Sequence, residues 1–179
     1  MKTPLSRRAA ARVGISALAA AALTVSAAST ASAATGTRTV TDLGTTYNLS
    51  LTAPDTAAEA GANITVTGSG YNTTQGVYVG LCVVSGVPGA VKPSPCLGGQ
   101  DQSGTTGASY WVSNFGGGML PNSSAFGAGG TFTATIHVKA DLGNGNVCGD
   151  TVTCSVVTRA DHMDSGDRKY DVHVPITFQ

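Results

Sequence analysis

Charge is scarce in this chain. Lys, Arg, Asp and Glu make up only 11% of its 179 residues, with ten cations against ten acids and a formal net charge of zero. Bulk composition therefore excludes the strongly basic face with which a protein reads nucleic acid. Aromatic residues are also few, 6% with a single Trp, but 41% of the residues are hydrophobic. A chain that can bury that much apolar surface is not disordered. Helical patterning is missing as well, since no stretch carries a sustained apolar stripe at 3.6-residue spacing. An uncharged Ala/Leu/Val run from Val13 to about Ala28 is mostly Ala, and it is shorter than the ~20 strongly apolar residues a membrane span needs. The length points to one domain.

That run is part of a targeting signal. Lys2, Arg7, Arg8 and Arg12 precede it without an acid, and Ala31-Ser32-Ala33 follows it. A basic region, an apolar region and an A-x-A site make residues 1–33 a secretory signal peptide, cut after Ala33. The expected product, residues 34–179, is secreted or associated with the cell envelope and has no stable membrane span. Cleavage removes four of the ten cations and no acid, leaving six against ten and a formal charge of −4. An acidic product moves further from nucleic acid and from anionic membranes.

What the mature chain does have is period-two alternation. Tyr47, Leu49 and Leu51 alternate with Asn48 and Ser50, and Ile64 and Val66 with Thr65 and Thr67. Val77, Val79, Leu81 and Val83 point one way; Tyr78, Gly80, Cys82 and Val84 point the other. Phe132 to Val138 and Tyr170 to Phe178 repeat the pattern. Short strands between Gly/Asn/Asp/Ser turns indicate an all-β, immunoglobulin-like antiparallel two-sheet sandwich. Pro175 lacks a ladder donor, so the last strand lies at an edge or carries a bulge there. Ala53–Ala62, bracketed by Pro54 and Gly61, reads as a loop with at most one turn. Residues 97–129 form a long Gly/aromatic-rich insertion holding Tyr110, Trp111, Phe115, Met119, Leu120 and Phe126. It reads as a strand over Ser109–Ser113 with surface chain, or as a functional loop.

Four Cys in an exported protein allow three pairings. The most economical is local: Cys82 with Cys96, and Cys148 with Cys154. Closing a loop of the first size is worth about 3 kcal/mol in the chain-entropy account. A four-thiolate metal site needs closer pairs than these, so no metal is expected here.

The order of a Val-Gly-Leu-Cys82 strand, Cys96, a Gly-Thr-Phe-Thr-Ala strand, Cys148…Cys154-Ser-Val-Val and a final Val-Pro-Ile-Thr-Phe-Gln resembles the neocarzinostatin-type apoproteins. Those are secreted actinobacterial immunoglobulin-like sandwiches with two short-loop disulfides that carry an enediyne chromophore in a cleft. The resemblance runs from about Ile64 to Gln179, interrupted by the longer 97–129 segment. It implies that Cys82–Cys96 floors a cleft and that Cys148–Cys154 is the second bridge. Val84 stands where a family member has an aromatic, and Ser155 where it has Gln. With Trp111, Phe115 and Phe126 of the insertion, these are the expected ligand contacts. The Cys154-Ser-Val-Val-Thr-Arg-Ala-Asp-His162 … Asp167-Arg168 … Asp171 … Val174-Pro-Ile stretch also resembles an immunoglobulin-like module found beside haem-transport-associated domains.

Polar chemistry is concentrated in Arg159–His173. Asp161, Asp164 and Asp167 could converge on calcium, but their D-x-x-D-x-x-D spacing does not follow the alternate-position EF-hand pattern, and Asp164-Ser165-Gly166-Asp167 reads as a hairpin turn. In that reading Arg159 and Arg168 pair with Asp161 and Asp171. His137, His162 and His173 read as solvated. Gly68-Ser69-Gly70 lacks the spacing and helix of a nucleophile elbow, so no catalytic residue and no cofactor is expected. The expected function is that of a non-enzymatic binder or antibiotic-carrier protein for an apolar or aromatic small molecule. The alternative is a cell-envelope protein-interaction module linked to haem uptake.

Overall fold

A computed structural model describes residues 32–99 and 106–179. The expected signal peptide lies outside the described residues except for Ser32 and Ala33. Among the described residues no helix is long and apolar enough to cross a membrane.

The chain opens with a hairpin of β1 (Ala33–Asp42) and β2 (Thr45–Pro54). Leu43 and Gly44 both have positive φ (47° and 82°). A two-residue loop of this kind matches the right-handed twist of the strands it joins. β3 (Thr56–Ala57), β4 (Ala62–Ser69) and β5 (Val77–Val83) follow. The insertion supplies β6 (Ser109–Val112) and β7 (Ser123–Ser124). Then come β8 (Phe132–Val138), the small hairpin of β9 (Asp141–Gly143) and β10 (Asn146–Val147), β11 (Cys154–Ala160), β12 (Val172–Pro175) and β13 (Thr177–Phe178).

Two main sheets form, in the orders β1-β2-β4-β8 and β12-β11-β5-β6-β7, beside the two-stranded pairs β9–β10 and β3–β13. Leu49, Leu51, Val66 and Ile136 of the first face Val77, Val79, Leu81, Val112 and Val156 of the second, all essentially inaccessible. This is the all-β sandwich that the alternation implies, with β11 beside β5 and β12 outside β11.

The structure bears on three local expectations, and it changes the first. Ala53 and Pro54 extend β2, and Thr56–Ala57 pair parallel to β13, so half of the Ala-rich segment is strand and the turn is confined to residues 58–61. The insertion does not simply overlie the sheet: β6 joins its edge, antiparallel to β5. At Pro175 the last strand does break. β12 is an edge strand, and the chain passes through buried Ile176 to pair β13 with β3. Both disulfides follow the local scheme, Cys82–Cys96 and Cys148–Cys154.

Candidate ligand-binding site on the outer sheet face

The second sheet has an outer face as well as a core face, and register decides what lies on it. Tyr78 sits opposite Trp111 on one side and Arg159 on the other; Gly80 sits opposite Ser109 and Val157; Cys82 sits opposite Ser155. The β11–β12 ladder places His173 opposite Val157 and ends at Thr158–Val172. Asp171 therefore continues the row Trp111–Tyr78–Arg159. All seven residues of β11 are buried, so the outer face is covered too. Its cover is the disulfide-closed chain after β5, whose backbone bonds to β5 through Val83 N to Pro95 O (2.9 Å) and Leu97 N to Leu81 O (2.9 Å).

A cleft of about 240 Å³ opens on this face, lined by Tyr78, Ser109, Trp111, Leu120, Pro121, Asn122, Ser123 and His162. The Trp111 indole Nε1 donates to Asp161 Oδ2 at 2.9 Å. That carboxylate is 1% exposed, and its other oxygen accepts the Met163 amide at 3.0 Å. A Cβ at Gly76 would stand 2.0 Å from Asp161 Oδ2, so only Gly leaves room for the carboxylate beneath the indole. The Tyr78 hydroxyl is hydrogen-bonded to His162 Nδ1 at 2.8 Å, and the His162 ring lies 5.4 Å from that of Trp111. Burial first, and then the Asp161 charge, hold the Tyr78 phenol above its usual range.

The opposite wall is the far half of the insertion. Trp111 N donates to Asn122 O and Ser113 N to Ser124 O, both at 2.9 Å. Ser123 Oγ accepts the Gly118 and Leu120 amides and donates to Leu120 O at 2.7 Å. Gly117 lies so close to the carbonyls of Ser113 and Ser124 that a Cβ would come within 2.2 Å of both. These bonds hold Leu120–Ser123 against the Trp111 side of the cleft.

Of the residues expected as ligand contacts, Trp111 lines the cleft. Phe115 is 78% exposed, and Phe126 packs on Tyr71 and Phe132, with centroids 6.3 and 6.2 Å away. Neither lines it. Ser155 is buried beside Cys82, and Val84 follows β5 with its amide bonded to Thr153 O. The gap that both Cys82 and Cys96 line is only about 10 Å³, enclosed with them by Tyr78, Gly80, Gly99, Ser109, Val157 and Arg159. Tyr78, His162 and residues 120–123 join the cleft although they are not among the contacts the sequence leads one to expect. The signal available for them was the outward row of β5 and the adjacency of His162 to the end of β11.

The charged hairpin is largely structural, with one change of partners. Arg168 Nη1 pairs with Asp171 Oδ2 at 3.1 Å, but Arg159 does not pair with Asp161. Lys169 bridges Asp42 and Asp167, and Tyr170 donates to Asp42 Oδ2 at 2.7 Å. Those bonds to Lys169 and Tyr170 hold the Asp42 carboxyl below its usual range. Burial pushes Asp171 up to about 6, against the pull of Arg168, Arg38 and Arg159. Asp161, Asp164 and Asp167 do not converge, and among the described residues no cluster of His, Cys, Asp or Glu could hold a metal ion. His162 is exposed, His137 Nδ1 meets Asn63 Oδ1 at 3.1 Å, and His173 is half-buried with its Nε2 unpartnered. Burial, followed by the Arg38 charge, holds His173 below the usual imidazole range.

The chain matches no protein-family model and no curated protein. Among solved structures it is similar to macromomycin, at 20% identity and a TM-score of 0.41, over 82% of this chain and all of that one. The relation is a coarse one of overall form.

Proposed function

We propose that this protein is a non-enzymatic binder or carrier of a small apolar or aromatic molecule, held against Trp111 on the outer face of the second sheet. The observation that carries this reading is the fixed indole. A Trp locked from below by a buried carboxylate, facing Tyr78, His162 and Leu120, offers flat apolar area at little entropic cost. A cleft of about 240 Å³ is slightly smaller than the usual drug-sized site of ~300 Å³ or more, so it suits one or two rings rather than a large chromophore. Two disulfides accord with an oxidising, extracellular setting. No chemical step is assigned; the ligand is sheltered by burial.

The test is a melting-temperature screen of the purified protein against hydrophobic ligands, including porphyrins and polyenes. A ligand that binds only the native state raises the melting temperature, and Trp111→Ala should abolish that rise. If no ligand shifts the wild-type transition, the reading is wrong.

A second reading rests on Phe115 and Met119, which are 78% and 82% exposed. Exposed apolar side chains on a fixed loop suit contact with another protein, such as one of the cell envelope. Loss of partner capture in Phe115→Ser, with ligand-induced stabilisation intact, would favour it.

A further inference from the structure

Arg159 is 8% exposed, yet among the described residues it forms no ion pair. Its one side-chain hydrogen bond among the described residues is a long one, 3.5 Å from Nη1 to Pro93 O. A buried Arg is almost always paired, because stripping water from a guanidinium must be offset by a nearby charge. Oδ2 of the neighbouring carboxylate, Asp171, is taken by Arg168 at 3.1 Å, and its buried Oδ1 makes no hydrogen bond, to Arg159 or to any other described residue. Arg38 adds a further guanidinium at the same place, bonded only to the carbonyls of Arg168 and Asp171. Three guanidinium groups thus share one carboxylate.

Arg159 also opens onto space. A recess of about 250 Å³ is lined by Lys92, Ser94, Pro95, Cys96, Gly99 and Arg159. Lys92 is exposed and has no ion pair among the described residues. The small gap beside the disulfide shares Arg159, Cys96 and Gly99 with this recess, and Tyr78 and Ser109 with the Trp111 cleft. Arg159 and Trp111 stand two strands apart across Tyr78, about 10 Å at the usual strand spacing.

From these positions we infer that the ligand is an aromatic acid: its oxyanion is held by Arg159 and Lys92, and its ring body lies toward Trp111. The guanidinium fork matches a carboxylate, sulfonate or phosphate with two parallel hydrogen bonds, and Lys92 adds a point charge at the rim. This inference rests on the binding function proposed above and specifies its ligand class.

Two fluorescent probes of similar shape separate the two claims: 1-anilinonaphthalene-8-sulfonate, which carries an anion, and N-phenyl-1-naphthylamine, which does not. The wild-type protein should bind the sulfonate about tenfold more tightly. Arg159→Met should erase that preference while leaving the neutral probe unchanged. Arg159→Lys should retain part of it, since charge remains but the fork is lost. Lys92→Gln, at an exposed position, should weaken the sulfonate alone, which keeps the test available should Arg159→Met not fold. Added NaCl should loosen the sulfonate and spare the neutral probe. Equal binding of the two probes by wild type, or equal losses in the variants, overturns the anion site and leaves the aromatic cleft standing. Binding of neither probe overturns the cleft reading itself.

Discussion

β5 and β11 are buried on both faces, but in different ways. On the inner face Val77, Val79, Leu81 and Val156 meet a second sheet, and the exposures are 0%. On the outer face Tyr78, Gly80, Cys82, Ser155, Val157 and Arg159 are covered by loop and insertion. A sheet interdigitates along its whole length, whereas a loop covers a sheet only where its own backbone bonds hold it down. The inner face has the tight packing of a core. The outer face keeps gaps, a polar row and an unpaired cation. One strand pair therefore forms core on one side and, under the proposed function, the binding floor on the other.

This division can be broken from either side. The largest effect should come from Leu81→Ala on the inner face, which should cost about 2–5 kcal/mol in chemical denaturation and leave probe affinity of the folded protein unchanged. Replacing Cys82 and Cys96 together by Ala should cost about 3 kcal/mol and, unlike the core change, should also weaken ligand binding, because the outer cover is released. If the two variants affect binding alike, the faces are not separable.

A smaller effect is expected from Asp171→Asn. With a folded-state pKa of about 6 against about 4 in an unfolded chain, native Asp171 keeps a proton that the unfolded chain has released between those values. Its contribution to stability is then lost as pH rises from 4 to 6. Urea midpoints of the wild type, compared with those of Asp171→Asn across that window, should show the fall only in the former. Smallest of all, Phe115→Ser should change stability by less than about 0.5 kcal/mol and leave the probe in place, since its ring does not line the cleft. A loss of probe binding there would return Phe115 to the site.

The strands were legible where alternation was strong. β4, β5 and β8 have apolar residues at every second position, and the structure buries those positions. β1 was not legible: as an outermost strand rich in Thr it buries only Val40 at its midsection and end, so it carries almost no hydrophobic signal. The two disulfides were readable from chain separation alone. The cleft was readable only through Trp111. Its other members come from β5, from the turn after β11 and from residues 120–123, and they are brought together by register and by the bonds of Ser123. Arg159 misled for the same reason: local charge pairs it with Asp161, whereas the sheet sets it between Tyr78 and Asp171, and the Trp111 indole takes up Asp161.

β11 is bonded to a strand on each side and all seven of its residues are buried, which leaves its amides little access to water. Amide exchange should therefore be slowest along Cys154–Ala160 and approach the rate set by global unfolding. The strand that carries Arg159 would then be a stationary wall on the timescale of ligand exchange. Entry and release would be timed by the chain closed by Cys82–Cys96 and by the 113–124 loop, so a ligand's residence should follow the protection of those loops rather than that of the strand beneath them.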